Sequence, residues 1–300
     1  MSEEMQKEIF QEDKKEKIKK IIKISLKVIV TIAVLTTLFF TYTTYISTVK
    51  IQVREYRITN NKIPDNFNGI KILQFSDLHY GSTMFDDNLK TIKKMINERK
   101  PDIIIFTGDL IDNRYEITEK QKEDLSKRLK ELNATLGKYA ILGDEDEESI
   151  ITIFNQSDFI VLRNEYELIY NGNNDPILLV GLESGEKQNL EEAYSYFKQE
   201  IYNSNIYTIT MTHEPDSVIN ISENYPTDLV LAGHSHNGNI RIPFINFPLE
   251  RKEGAKKYPG EYYKVKDIDL YVSSGLGTNN KTGIRLFCRP SMNLYRLSSK

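Results

Sequence analysis

All four histidines of this 300-residue chain lie in short motifs that also hold aspartate or glycine: Asp77-Leu78-His79, His213-Glu214-Pro215-Asp216 and Gly233-His234-Ser235-His236. Two acidic motifs, Gly108-Asp109-Leu110-Ile111-Asp112 and Gly143-Asp144-Glu145-Asp146, fall between them. Imidazole and carboxylate together form a donor set for borderline to hard divalent ions such as Mn, Fe or Zn. A thiolate site is excluded, because Cys288 is the only cysteine, and an intramolecular disulfide is excluded with it. A lone histidine after a strand is more often a structural residue than a ligand, but four of four beside Asp or Gly is not a chance pattern. Asp77, His79, Asp109, Asp144, His213, His234 and His236 are too many ligands for one ion. Two ions about 3.5 to 4 Å apart need a bridging ligand, and the central carboxylate of Asp109 can give one oxygen to each. The Asp-x-His and His-x-His pairs place ligands at i and i+2, which project to one side if the backbone is extended. Gly81, Gly108, Gly143, Gly233 and Gly238 adjoin the ligands, where tight turns or close backbone approach want no side chain.

Positioning seven side chains spread over 160 positions requires a rigid frame. From Ile70 onward, short β-rich apolar runs alternate with polar, helix-periodic segments: IKILQF, NLKTIKKMINERK, DIIIFTGD, KQKEDLSKRLKELNATL and YAILG. A short helical piece near Ser149 to Asn155, ILLVGLES, the helix-like NLEEAYSYFKQEI, IYTITMTH, DLVLAGHSH, IDLYVSS and MNLYRLSS continue the pattern. This is the grammar of βαβ units. The runs are nearly continuous rather than alternating, which suits strands covered on both faces, and in such sheets sites gather at the carboxyl ends of strands. Every candidate ligand follows such a run.

Charge and composition narrow the partners. With 40 Lys plus Arg against 43 acids, a net charge of -3 gives no reason to expect nucleic acid. The 39% hydrophobic and 10% aromatic content is enough for a sizeable core. Between Lys27 and Lys50 lie 22 uncharged residues, VIVTIAVLTTLFFTYTTYISTV, long enough to span a bilayer. No small-residue cleavage site follows, which favours a retained anchor over a signal peptide. Lys14, Lys15, Lys17, Lys19, Lys20, Lys23 and Lys27 precede the run, against Lys50, Arg54, Arg57 and Lys62 behind it. That excess places the amino terminus in the cytoplasm. The expected organisation is a lysine-rich cytoplasmic tail over 1–27, with residues 1–13 disordered, an anchor over 28–49 and one extracytoplasmic domain over 50–300.

The five motifs, read in order as DLH, GDLID, GDED, H and GHSH, resemble the calcineurin-like metallophosphoesterase family, whose pattern is D-x-H, G-D-x-x-D, G-N-H-D/E, H, G-H-x-H. AGHSHNGNIRIPF and SSGLGTNNKTGIRLF resemble its membrane-anchored bacterial branch, so the likeness covers roughly Lys71 to Leu297. The resemblance implies a four-layer α/β/β/α sandwich of two mixed sheets behind one transmembrane helix. It implies that Asp77, His79, Asp109 and His236 hold one metal, and that Asp109, Asp144, His213 and His234 hold the other. The implied reaction is hydrolysis of a phosphate ester or pyrophosphate by a metal-bridging hydroxide, with Asp112 as an outer partner that orients a ligand histidine. The tether points to a phosphorylated small molecule or a lipid-linked substrate.

The third motif departs from the family pattern. Asp144 replaces a neutral amide with a charge, which would bind the second ion more firmly and weaken it as a Lewis acid. Glu145 stands where the family has a histidine that assists the phosphoryl oxygens or leaving group, and a glutamate beside dications repels phosphate. A register in which Asp146 ligates instead stays open. Arg114 is either a phosphate contact or an exposed loop residue. Two functions follow: an active phosphohydrolase with Glu145 and Asp109 at its catalytic centre, or a metal-loaded but catalytically weak relative that binds a phosphorylated ligand or partner.

Overall fold

A computed structural model describes residues 3–43, 47–48, 50–172, 175–199, 203, 205–241, 251–278 and 283–299. The chain divides into two compact units, Met1–Ile46 and Ser47–Lys300.

The first unit is a single helix, α1 (Glu3–Thr41). It corrects the expectation of disorder for residues 3–13: the segment is rich in Glu, Lys and Gln, strong helix formers, and Lys17 pairs with Asp13 and Lys19 with Glu16 at i+4 and i+3 spacing. α1 is long and apolar enough to cross a membrane by length and composition, a test that a signal sequence also passes. Its threonines are compatible with an apolar surround, since the hydroxyls of Thr36, Thr37 and Thr41 donate to carbonyls four residues back. Residues 44–46 and 49 of the expected anchor lie outside the described residues.

The second unit begins with β1 (Gln52–Thr59) and β2 (Lys71–Phe75), then α2 (Asp86–Arg99), β3 (Ile103–Thr107), α3 (Glu119–Lys130), β4 (Gly137–Ile141), α4 (Ile150–Gln156), β5 (Ile160–Val161) and β6 (Glu165–Ile169). β7 (Ile177–Gly181), α5 (Leu190–Ala193), β8 (Thr208–Thr212), α6 (Val218–Asn224), β9 (Leu229–Ala232), β10 (Tyr262–Val265), β11 (Ile268–Val272) and β12 (Ser291–Ser298) complete it. They form two six-stranded mixed sheets, ordered β1-β12-β2-β3-β4-β5 and β10-β11-β9-β8-β7-β6.

Strand parity builds the layers. Along β3, Ile103 and Ile105 point between the sheets, where they meet Leu179, Ile209, Met211, Leu229 and Leu231. Ile104 and Phe106 point the other way, onto Ile92 and Ile96 of α2, Leu125 of α3 and Phe154 of α4. On the second sheet Val180, Val230 and Leu270 turn outward to Ala193, Val218 and Ile221. Both faces of each sheet are therefore covered, which is why the strands read as unbroken apolar runs, and the layers are the expected α/β/β/α.

Four elements went unread in the sequence: the alternating edge strand β1, the short β5, and the outer strands β6 and β10. The helix expected across NLEEAYSYFKQEI is one turn, followed by a 3-10 turn over Ser195–Lys198. Tyr194 interrupts it by burying its ring and bonding its hydroxyl to Thr210 and Thr227, a tertiary gain that outweighs helical continuation.

Candidate metal centre

β2, β3 and β4 are parallel neighbours, as are β8 and β9, so the loops leaving their carboxyl ends meet on one side. Asp77 and His79 leave β2, Asp109 leaves β3, Asp144 and Glu145 leave β4, His213 leaves β8, and His234 and His236 leave β9. All seven ligand candidates come together. Asp77, His79 and His236 form one group whose ligand atoms lie within 4.8 Å of one another, and Asp109, Asp144, His213 and His234 form a second.

The local backbone differs from the extended form inferred for the i, i+2 pairs. Asp77, His79, Asp109, His234 and His236 all have positive φ, between 44° and 64°. Such conformations are uncommon for residues with a Cβ and persist where the surroundings over-determine them, as at functional sites. They also separate the two histidines of the His-x-His pair, sending His234 to the second group and His236 to the first. Close packing explains two glycines: a Cβ on Gly108 would collide with His213 Nδ1, and one on Gly143 with Asp109 Oδ1.

Asp109 links the groups. Its Oδ2 stands 3.3 Å from His213 Nε2 and 3.6 Å from His79 Nε2, while Oδ1 accepts the Glu145 N–H at 3.1 Å. His213 Nε2 and His234 Nδ1 both lie 2.9 Å from Asp144 Oδ1. The far nitrogens of these rings are committed elsewhere: His213 Nδ1 to the Thr107 carbonyl and His234 Nε2 to the Glu253 carbonyl, each at 2.7 Å. A ring that donates one N–H to a carbonyl presents a lone pair on its other nitrogen, the tautomer a metal needs. Asp109 Oδ2, His213 Nε2 and His234 Nδ1 are buried and make no hydrogen bond. Buried polar atoms left unbonded are costly, so this donor set fits a cation.

Charge interactions point the same way. Burial would raise the carboxyl of Asp109, but His213 and His79 hold it down at about 2. Burial would neutralise His213, yet Asp109 and Asp144 keep it well above the usual imidazole range. His236 is held well below that range by burial, then by Lys252, His79 and Arg285. His79 is raised as well, against its burial, by Glu145 and Asp109, so the centre favours positive charge between its carboxylates, a role that divalent ions fill.

The remaining candidates take other places. Asp146 accepts the N–H groups of Asp109, Leu110 and Gly143 at 2.8 to 2.9 Å, so it shapes the loop that presents Asp109. Burial and the Asp109 charge push its carboxyl up to about 6. Glu145 Oε2 lies 3.4 Å from His79 Nδ1. Asp112, His79 and Glu145 each bring a ligand atom within 4.8 Å of the other two, and the Asp112 carboxylate accepts the backbone N–H and Nε–H of Arg114 at 3.0 and 2.8 Å. A guanidinium is therefore fixed beside position 145. Arg285, fully buried with its Nη2 3.1 Å from His236 Nδ1, was missed in the sequence, as were the carbonyls of Thr107 and Glu253. A single Arg among apolar residues, or a main-chain oxygen, carries no signal of its partner in one sequence.

Two mixed sheets, with this cluster of metal-ligating residues at the strand ends, define the class of a metallohydrolase, and the calcineurin-like phosphoesterase family matches residues 70–238. The chain belongs to that family, whose members are hydrolases that use divalent metals. It is 31% identical over 263 residues to the metallophosphoesterase YkuE of Bacillus subtilis, covering 86% of this chain and 89% of the relative. It is 28% identical to the UDP-2,3-diacylglucosamine pyrophosphatase LpxG of Chlamydia trachomatis, covering 77% and 85%. The phosphodiesterase YaeI of Escherichia coli is 26% identical, covering 78% and 84%.

Proposed function

We propose that this protein is a membrane-tethered, metal-dependent phosphoesterase that cleaves a phosphate ester or pyrophosphate bond of a lipid-linked substrate. The observation that carries this reading is the position of Asp109 Oδ2, which faces a ligand nitrogen of each group and makes no hydrogen bond. Asp77, His79, Asp109 and His236 would hold one ion, and Asp109, Asp144, His213 and His234 the other, as Mn, Fe or Zn. Such a pair supplies an acidified water and offsets charge on phosphoryl oxygens.

The chain's own residues do the positioning. Thr107 and Glu253 fix two ring tautomers through their carbonyls. The His234 N–H holds Asp77 by donating to both its carboxylate oxygens at 3.0 and 3.2 Å. Asp146 holds the Asp109 loop against the Asp144 loop. The anchor over 28–49 and the lysine excess ahead of it favour an extracytoplasmic domain over 50–300. The lipid-linked pyrophosphate named for LpxG supports the substrate class.

Glu145 supports a second reading, a metal-loaded protein with weak turnover that binds a phosphorylated ligand, because its carboxylate faces His79 where the family pattern has a proton-donating imidazole. Metal analysis of the purified full chain, paired with a screen of phosphomonoesters, diesters and pyrophosphates, tests both. Two bound ions with turnover are expected; two ions without turnover select the weaker relative, and a metal-free folded protein after Mn or Zn reconstitution sinks both.

A further inference from the structure

The second unit's chain enters its sheet at the end that carries the ligands. β12 runs antiparallel to β2, with Asn293 opposite Gln74 and Arg296 opposite Lys71, so β12 starts beside the Asp77 loop. β1 runs parallel to β12, with Gln52 opposite Ser291. The Gln52 N–H donates to the Pro290 carbonyl at 2.8 Å, and the Ser291 N–H to that of Gly275 at 3.2 Å. Gly275 is packed so closely that a Cβ there would sit 2.8 Å from Asp77 Cβ.

Exposed aromatic rings gather at the same end. Among the described residues of the second unit these are Phe85, Tyr115, Tyr170, Tyr262 and Phe287, each roughly half exposed. Four of the five lie on the site side: Phe85 and Tyr115 in the loops after β2 and β3, Tyr262 opposite the carboxyl end of β11, and Phe287 just before β12. The loops that carry them are contiguous, since a Cβ on Gly81 would lie 3.5 Å from Tyr115 Cβ and the Thr278 N–H donates to Thr83 Oγ1 at 2.9 Å. Phe287 sits between Arg285, which meets His236, and Cys288, whose thiol reaches the His236 carbonyl at 3.1 Å. Tyr170 alone occupies the opposite pole, in the hairpin between β6 and β7. Tyr rings, apolar with a polar tip, partition to the headgroup level of a bilayer, and Phe rings enter the headgroup–acyl boundary beside them. Lys50, exposed at the same edge, suits an anionic headgroup.

We propose that this end of the domain, rimmed by Phe85, Tyr115, Tyr262 and Phe287, seats on a bilayer surface, so that the metal centre takes its phosphate group from the headgroup of a membrane lipid. The inference rests on the phosphoesterase reading above. The chain has no tryptophan, so F85W and F287W, each in the full chain reconstituted into phosphatidylcholine–phosphatidylglycerol vesicles with brominated acyl chains, report lipid contact directly. Y262W replaces F287W if the left-handed Phe287 backbone, at φ 52°, rejects the larger ring. Loss of emission is expected at 85 and 287 relative to unbrominated vesicles, with Y170W unchanged. Equal emission at all three positions, equal loss at all three, or loss confined to Y170W overturns the proposal. Hydrolysis of a soluble aryl phosphate by the same preparations separates the two readings. Turnover without rim quenching removes the membrane surface alone, whereas rim quenching without turnover removes the phosphoesterase alone.

Discussion

Asp77, His79 and His236 are sealed from solvent, whereas the group of Asp109, Asp144, His213 and His234 opens to it through Asp144, whose side chain is 46% exposed. The groove above that opening is lined by Gly185, Glu214, Lys252, Glu253 and Gly254. With an ion in each group, as proposed above, a closed site and an open one joined by one carboxylate would divide the labour: the buried group would retain its ion and the open group would exchange its ion and meet substrate. Of the two departures from the family pattern, Asp144 falls on the open side, whereas the Glu145 carboxylate faces His79 of the closed group.

The largest expected effect breaks the joint itself. Asp109→Asn should lower phosphoester turnover by at least about 10³-fold, beyond the 10- to 100-fold typical of outer partners, and metal analysis should show loss from both groups. An Asp109→Asn protein that keeps two ions and its rate would remove the bridge. Glu145→His comes next: it restores a proton donor, an effect of about 10² or more in rate on an aryl phosphate. An unchanged rate would show that position 145 takes no part in the chemistry.

Asp144→Asn sharpens the contrast between the groups. It removes one negative charge from the open group only, so the exchangeable ion should be lost to a chelator at about 10-fold lower concentration while the buried ion is unaffected. Calorimetric titration of the metal-free protein would show this as one weakened site of two.

The smallest effect is a pH dependence of the loop beneath the centre. In metal-free protein the folded Asp146 carboxyl, at about 6, lies above its unfolded value of about 3.9, so protonation favours the fold. Its contribution is fully present below about 3.9 and lost as pH rises through about 6. Asp109, with a folded value of about 2, does the reverse, contributing above about 3.9 and losing that contribution as pH falls toward 2. Thermal melts of the chelated protein should therefore weaken between pH 4 and 6, and Asp146→Asn should flatten that slope. A slope that persists in the variant assigns it to another group.

Much of the centre was legible because its chemistry is carried by rare residue types. With four histidines in the chain, their placement after apolar runs was visible without coordinates, and so was the departure at Asp144 and Glu145. The elements were legible where burial on both faces left unbroken runs, as in IIIFT and LVLA, and illegible where an edge strand mixes charge and apolar residues, as in QVREYRIT. The polar segment ahead of the anchor was misjudged as disordered because composition weighs charge, whereas helix formation depends on the spacing of those charges.

By itself, then, the sequence determined the donor residues and the candidate span, since each follows from residue type and local period, while the four layers were implied by the resemblance of its motifs to a known family. Tertiary structure alone decided the left-handed turns that split the ligands into two groups, that Asp146 supports a loop, and that Arg114 is held on Asp112. It also decided that the chain enters the domain at the site end. Those outcomes depend on left-handed turns, main-chain carbonyls and strand order, and none of the three is encoded in the identity of a single side chain.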